Sequence, residues 1–345
     1  MFARIVGNQR AREVLRRMLA QRRVPGALLF AGEEGVGKKL FALELAKALN
    51  CRAPRGVEAC DECSACVRIA RLATARARET GALIDWSEHQ DVGVVRAEKR
   101  FITVDQARAI EREMNFRPYE GAARVLIIEE ADRLNDASGN ALLKTLEEMP
   151  PTGHLILLTA RPASLLPTIR SRCQVVRFAP LKAEEIEAYL IQNKQRAGME
   201  ARLAAQLAQG RLGRALALNL DQYQQQREAM LVVLEALTAR PDRVQLLRAA
   251  EDLSDAKRKD DYEPSLDALE LLIHDAWRLA LDARAGIVNE DLREQLTKLS
   301  NNVTNRRVAA WLAQIEELRA QLAVNVNRRV ATDALLLTMA AVPTR

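Results

Sequence analysis

The sequence has little glycine, proline or aromatic residue and no low-complexity tract, and each of these shortages excludes a class of protein. With 15 Gly and 11 Pro in 345 residues, 48% of them hydrophobic and 28% charged, the chain is neither fibrous nor disordered. Aromatic residues make up only 4% of it. Alanine, leucine, arginine and glutamate dominate instead, which favours helix.

Long apolar runs are also missing. No stretch of about 18 uncharged apolar residues occurs, so we expect no membrane-spanning helix and no membrane partner. The N-terminal segment Met1–Arg4 lacks the apolar core of a secretion signal and leads into an arginine-rich amphipathic segment. The net charge of +6, from 52 basic and 46 acidic residues, permits nucleic acid nearby without requiring it. We therefore expect a cytoplasmic protein.

The pattern of apolar residues predicts an α/β part at the N-terminus. A chain of this length exceeds what one hydrophobic core usually supports, so two or three domains are expected. Up to residue 180, short apolar runs alternate with helical patterns, which is typical of a parallel sheet covered by helices. The predicted strands are Ala27–Ala31, Val92–Arg96, Val125–Ile128, Leu155–Thr159 and Val175–Phe178. The predicted helices between them are Asn8–Gln21, Lys38–Leu49, Val104–Met114 and Ala137–Glu148.

The remainder of the chain is predicted to be helical. Beyond Pro180 the strand signal stops and the apolar residues follow helical spacing. We predict an α/β domain over 1–180, a small helical domain over 181–220 and an all-helical domain over 221–345. Amphipathic spacing alone does not tell whether the last domain is an oligomerisation surface or packs only on itself.

A glycine-rich loop follows the first predicted strand. Gly32, Gly35 and Gly37 precede Lys38 at the start of a predicted helix, an arrangement in which backbone N–H groups surround phosphate. The helix N-terminus adds positive potential, and Lys38 is placed to reach the β- and γ-phosphates. The alternative is a glycine-rich turn without a ligand. We predict a site that holds ATP or ADP.

The residues that normally hold magnesium beside such a loop are altered. The position after Lys38 usually carries Ser or Thr, whose hydroxyl ligates Mg²⁺, but here it is Lys39. The strand Val125–Ile128 ends in Glu129 and Glu130, where an aspartate usually comes first. Lys39 cannot coordinate a metal, so we predict weak magnesium binding and inefficient hydrolysis. The alternative for Glu129 and Glu130 is that they merely end a buried strand in solvent.

Four of the five cysteines fall within 16 residues, at Cys51, Cys60, Cys63 and Cys66. Four thiolates are enough for a closed tetrahedral zinc site, and in a reducing compartment such a cluster indicates metal before disulfides. An iron–sulfur cluster is the rival, but the spacing lacks the further cysteines and proline of bacterial ferredoxins. Since no open position or catalytic histidine accompanies the cluster, we predict a structural zinc ion.

Taken together, these motifs resemble the clamp-loader branch of the AAA+ family. The features that carry the resemblance are the phosphate loop, the acidic strand end and the triplet Ser171–Cys173, which is similar to that branch's arginine-finger motif. Further similar segments are Ile5–Asn8, Asn140–Glu148 and Leu165–Gln174. The similarity is good over roughly residues 1–215 and only architectural beyond them. The small zinc module of this family has the same cysteine spacing.

The resemblance implies roles for individual residues. Arg172 would be an arginine finger that acts in trans on a neighbour's ATP, and Glu130 a residual water-polarising residue. Thr159 lies where the family has its first sensor, and Arg214 lies in a segment similar to its second-sensor region, facing the chain's own nucleotide. Without the surrounding motif, Arg172 would more simply be one surface arginine among many, with Arg170 and Arg177 close by; the motif reverses that interpretation.

The resemblance also implies an assembly and a fold. It implies an AAA+ P-loop domain with an inserted zinc module (51–66), a helical lid domain and a helical collar. The chain would join motor and delta subunits in a hetero-pentamer that places a sliding clamp on primed DNA. The altered loop and the amino-acid sequence of Leu165–Gln174 favour a non-motor subunit. Three rivals are an ATP-hydrolysing motor subunit, a DNA-acting AAA+ protein of another branch, and a purely structural zinc protein.

Overall fold

One mixed sheet forms the centre of the N-terminal part of the chain. In the residues that the computed structural model describes, 2–71, 82–97, 100–238, 243–255, 260–322 and 326–343, this sheet has six strands. They are β1 (Ala27–Ala31), β2 (Asp85–Trp86), β3 (Val92–Val95), β4 (Arg124–Ile128), β5 (Gly153–Thr159) and β6 (Gln174–Arg177). Their order is β2-β3-β4-β5-β1-β6, and all neighbours are parallel except β2 with β3.

The central strands β1, β4 and β5 are buried along their whole length. Their nearly continuous apolar sequences suit strands that helices cover on both faces. The parallel α/β architecture predicted from the sequence is therefore confirmed, and each predicted strand is present to within two residues at either end. The short antiparallel strand β2 was not predicted.

Helices connect and follow the strands in the N-terminal part of the chain. They are α1 (Gln9–Ala20), α2 (Lys38–Asn50), α3 (Ser64–Ala70), α4 (Val104–Met114), α5 (Asp136–Glu147), α6 (Pro167–Arg172), α7 (Ala183–Gln192), α8 (Gly198–Leu207) and α9 (Leu212–Ala217). Capping fixes where α4 begins. The Thr103 side chain accepts from the Gln106 backbone N–H, and the Thr103 N–H donates to the Gln106 side chain.

The C-terminal part of the chain is helical, as predicted. Its described helices are α10 (Leu220–Thr238), α11 (Arg243–Leu253), α12 (Tyr262–Leu281), α13 (Arg293–Ser300), α14 (Asn305–Leu322) and α15 (Arg328–Ala341). A buried polar group organises this part: Asp275 on α12 accepts from the backbone N–H groups of Val288 and Asn289. The Asn289 side chain in turn accepts from the hydroxyl of Tyr223 on α10 at 2.9 Å.

Two units are distinguishable along the chain, Met1–Leu216 and Ala217–Arg345. The finer predicted boundaries, after residues 180 and 220, stay predictions. Among the described helices, none is at once long and apolar enough to cross a membrane.

Candidate nucleotide site and four-cysteine cluster

The phosphate-type loop connects β1 to α2, and glycine is required at two of its positions for different reasons. A Cβ on Gly32 would lie 2.4 Å from the Phe178 carbonyl oxygen, so the backbones approach too closely for any side chain. Gly37 immediately precedes α2 with φ 99°, a left-handed conformation that L side chains rarely adopt. The loop therefore holds its shape before any ligand binds.

Lys38 turns its side chain back into this loop. Its Nζ donates to the backbone carbonyls of Gly32 and Glu33, the latter at 2.6 Å. The side chain is nearly buried, with 8% of its surface exposed. Burial lowers the pKa of the Lys38 ammonium, and the carboxylates of Glu34 and Asp132 partly offset that effect. The structure thus places the Lys38 ammonium inside the loop, and its predicted contact with the β- and γ-phosphates stays a prediction.

Lys39 and Glu129, which the sequence marked separately as unusual, form an ion pair. The Lys39 Nζ lies 2.7 Å from one Glu129 carboxylate oxygen. The other oxygen accepts from the Nε of Arg96 at 3.1 Å, and Arg96 also pairs with Asp85 on β2. This group of side chains does not fit a magnesium ion. The Glu129 carboxylate that would ligate the ion is already paired with Lys39 and Arg96.

The ends of β4 and β5 carry the next group of polar side chains. Glu130 has a left-handed backbone, φ 49°, and pairs with Arg133 at 3.0 Å. Thr159, with 1% of its surface exposed, donates to an Asp132 carboxylate oxygen at 2.9 Å. Burial acts to raise the pKa of Asp132, but hydrogen bonds from Arg161 and Thr159 hold it below its usual value.

A cavity of about 410 Å³ brings these groups together. The residues predicted to bind nucleotide that line it are Gly35, Gly37, Lys38, Lys39, Glu129 and Thr159, with Glu130 beside them. Its apolar wall, which the sequence did not reveal, consists of Ile5, Val6, Leu181, Tyr189, Leu212 and Leu216. A polar floor beside an apolar wall suits a phosphate chain joined to a flat base.

The segment that carries Arg214 packs directly on the loop. The Gly213 N–H donates to the Gly35 carbonyl at 3.2 Å, and Gly213 is close enough that a Cβ there would lie 3.5 Å from the Gly35 Cα. Arg214 follows this contact at the next position. Its predicted role toward the nucleotide stays a prediction, as do the roles of the other site residues.

Arg172 lies near the opposite end of the strands from the loop. β6 begins at Gln174, level with Leu28, and Arg172 lines the same cavity as Gly26, which lies just before β1. Gly32 is six residues further along, a distance of about 20 Å at about 3.3 Å per residue. Arg172 is therefore too far away to act on a phosphate held in its own chain's loop.

The guanidinium of Arg172 is held by its own chain. Its Nε donates to a Glu147 carboxylate oxygen at 2.7 Å, and its Nη1 donates to the Thr168 carbonyl at 3.0 Å. A cavity of about 490 Å³ lies beside it, lined by 24–27, Leu146, Glu147, 149–151 and 171–174. Sequence reasoning missed Glu147, since nothing in the sequence marks its pairing with Arg172.

The four clustered cysteines converge as predicted. One ligand atom from each of Cys51, Cys60, Cys63 and Cys66 lies within 4.8 Å of all the others. The Sγ atoms of Cys51 and Cys63, and those of Cys60 and Cys66, are 3.9 Å apart. A tetrahedron of sulfurs about 2.3 Å from zinc has edges of about 3.8 Å, so these residues fit the metal.

Backbone amides surround the sulfur atoms. The N–H groups of Glu62 and Cys63 point at the Cys60 sulfur from 3.4 and 3.2 Å, and the Cys60 N–H points at Cys51 from 3.3 Å. Burial acts to raise the pKa of Cys63, but hydrogen bonds from the backbone N–H groups of Cys66 and Arg52 and with neighbouring cysteine side chains bring it down to about 6. Such donors stabilise thiolates, the form that binds metal.

Two family descriptions match this chain. Residues 7–182 match "DNA polymerase III, delta subunit", and residues 221–340 match "DNA polymerase III, delta subunit, C terminal".

Curated relatives extend the similarity over nearly the whole chain. It is 28% identical to DNA polymerase III subunit delta' of Bacillus subtilis (strain 168), over 96% of this chain and 95% of that protein. It is 30% identical to the subunit delta' of Escherichia coli (strain K12), over 90% and 87%. It is also 34% identical to the E. coli subunit tau, over 63% of this chain but only 32% of that protein.

Proposed function

This chain belongs to the DNA polymerase III delta-subunit family, and on that premise we propose that it works as the delta-prime subunit of a bacterial clamp loader. In this proposal it assembles in the cytoplasm with motor and delta subunits as a hetero-pentamer. The complex opens a ring-shaped sliding clamp and places it on primed DNA. The likeness to delta-prime proteins over nearly the full length of both chains supports this choice.

The observation that carries the mechanism is the position of Arg172 near the end of the strands opposite the phosphate loop. At this distance from its own nucleotide cavity, Arg172 can act on a phosphate only if another subunit brings that phosphate. Such an arginine stabilises the charge that develops on the transferred phosphoryl group. In nucleoside triphosphatases that use one, it raises the rate by about 10³–10⁵. We therefore propose Arg172 as an arginine finger in trans.

The chain's own cavity binds ATP or ADP in this proposal but hydrolyses ATP poorly. Lys38, the loop amides and the apolar wall supply the contacts for binding. Bound magnesium would supply charge neutralisation and orient the phosphates, but Lys39 and Arg96 already occupy Glu129. Glu130 pairs with Arg133, and in this proposal it is only a residual water-polarising residue. Thr159 and Arg214 are proposed to act as the two sensors of the bound nucleotide.

The four cysteines hold a structural zinc ion in this proposal. Zinc supplies a fixed tetrahedral centre to which the loop from Cys51 to Cys66 is tied, and four protein ligands leave no position open for a substrate. The module is thus proposed to stabilise the fold and to take no part in phosphate chemistry.

A reconstituted loader tests the role of Arg172. Arg172→Ala should leave folding, zinc content and assembly intact while DNA- and clamp-stimulated ATPase and clamp loading fall. Arg172→Lys should be a poor substitute, because lysine lacks the planar fork that meets two phosphate oxygens. The matched control is Arg170→Ala, which removes another exposed arginine from the same helix. A normal loading rate with Arg172→Ala would refute the mechanism.

A motor subunit is the second candidate, favoured by the 34% identity to tau over 222 residues and by the intact Lys38 contact to the loop. The two candidates differ in the turnover of the isolated chain. A steady-state ATPase rate equal to that of a motor subunit would favour the second candidate.

A further inference from the structure

Three carboxylates at the end of β4, beside the nucleotide cavity, are paired with cations of this chain. Glu129 pairs with Lys39 and Arg96, Glu130 pairs with Arg133, and Asp132 pairs with Arg161. Each of these carboxylates stands at or just after the end of β4, where a phosphate-bound metal usually finds its ligands. The negative charge at this strand end is therefore already balanced by side chains.

The contact between Lys39 and Glu129 closes the place that a magnesium ion needs. In phosphate loops of this type the metal lies between the residue after the loop lysine and the acidic strand end. Here those two residues touch at 2.7 Å. A magnesium ion would have to displace the Lys39 ammonium and stay near the Arg96 guanidinium, and it sheds its own water reluctantly.

Lys39 is nevertheless accessible from the cavity. It lines the cavity beside Lys38, and its side chain is 40% exposed. Arg96 keeps Glu129 in place from the other side, since it is itself fixed between Glu129 and Asp85. The ammonium is therefore anchored on one side and open to a phosphate on the other.

We infer that this cavity takes a nucleoside di- or triphosphate as the metal-free anion, with the Lys39 ammonium in place of magnesium. Two adjacent lysines then meet the phosphate chain, Lys38 from within the loop and Lys39 from the metal side. Binding does not require magnesium, and free magnesium competes by complexing the nucleotide in solution. This inference rests on the proposed nucleotide site.

The test is a titration of the full chain with ADP that carries a fluorescent methylanthraniloyl group on its ribose. The buffer is depleted of magnesium on a chelating resin, and no soluble chelator is added because it would extract zinc from the cysteine cluster. Magnesium chloride is then added back. We expect binding in the depleted buffer and no tighter binding once magnesium is present.

Variants at position 39 link this behaviour to the ammonium. Lys39→Thr should weaken binding in the depleted buffer by about tenfold, equal to about 1.4 kcal/mol, and should make affinity rise with magnesium. Lys39→Arg keeps the charge and should still bind in the depleted buffer, with no gain in affinity when magnesium is added. The control Lys144→Thr removes an exposed lysine outside the cavity lining and should also behave like the parent.

The possible failures are distinguishable. Binding by the parent that requires magnesium would overturn the inference while leaving the nucleotide site in place. No binding in either buffer would remove the nucleotide site as well, whereas the role of Arg172 is measured separately in the reconstituted loader. If Lys39→Thr binds like the parent in both buffers while its zinc content is normal, the ammonium is not the missing cation.

Discussion

Replacing one cysteine of the cluster tests both the metal and what the metal holds in place. Cys66 is the most informative ligand, because it is buried at the first turn of α3 and its Sγ lies 3.9 Å from that of Cys60. Cys66→Ser substitutes a hydroxyl, a much poorer ligand than thiolate for zinc. We expect the variant to lose its zinc.

The size of the effect follows from the amides around the sulfurs. Three backbone N–H groups point at the sulfurs of Cys51 and Cys60. A hydrogen bond to a charged acceptor contributes about 1.5–3 kcal/mol and a neutral one about 0.5–1.5 kcal/mol. Burial raises the pKa of Cys51, so this sulfur takes up a proton when zinc leaves, and the change from a charged to a neutral acceptor for the Cys60 N–H should cost about 1 kcal/mol of local stability, besides the metal–sulfur bonds.

Metal analysis and amide hydrogen exchange measure these two consequences separately. Zinc per chain should fall from about one to near zero, and residues 51–66 should exchange faster while β4, at the centre of the sheet, stays protected. The matched control is Cys173→Ala, which removes the one cysteine outside the cluster and should keep its zinc. Full zinc content in Cys66→Ser, iron with sulfide in the parent, or unchanged exchange over 51–66 would refute the reasoning.

Three further predictions concern the sheet and its edges. Gly32→Ala should lower the free energy of unfolding by about 1–3 kcal/mol in denaturant titrations, since the added Cβ meets the Phe178 carbonyl. Burial lowers the pKa of His154 below its value in the unfolded chain, so the unfolded state binds the proton at a higher pH than the folded state does. The free energy of unfolding should therefore fall as the pH drops below about 6.5, and it should fall less steeply in His154→Gln. Glu147→Gln should raise the stimulated ATPase of the loader by at most about fivefold, because an exposed ion pair is worth up to about 1 kcal/mol; a fall like that of Arg172→Ala would mean that Glu147 orients the arginine.

Local sequence signals accounted for much of the fold and of the candidate site. Buried strands such as Val125–Ile128 carry continuous apolar runs, the phosphate loop has fixed glycine spacing, and the cysteines lie within 16 residues. Such features depend on residues that are neighbours in the chain. The two-residue strand Asp85–Trp86 was not predicted, because it is too short to show an alternation of apolar and polar residues.

Contacts between distant residues were beyond the reach of the sequence. Lys39 and Glu129 each depart from the usual pattern, but only the folded structure shows that one neutralises the other. Arg96 directly follows β3, the strand next to β4, and pairs with Glu129 at the end of β4. Ion pairs of this kind depend on which strands are neighbours in the sheet, and the local sequence pattern does not predict strand order.

The register of β1 and β6 also limits how copies or relatives of this chain can associate. Since Arg172 and the phosphate loop lie near opposite ends of the strands, an arginine that serves another chain's loop joins two unlike surfaces. Such a heterologous contact runs head to tail and has a direction, whereas a two-fold axis makes every contact twice, from residue i to residue j and back. A symmetric dimer of this chain would serve its loops only if one interface contained both ends of the strands, which lie about 20 Å apart. A row built from head-to-tail contacts ends instead with one unused arginine and, at its other end, one unserved loop.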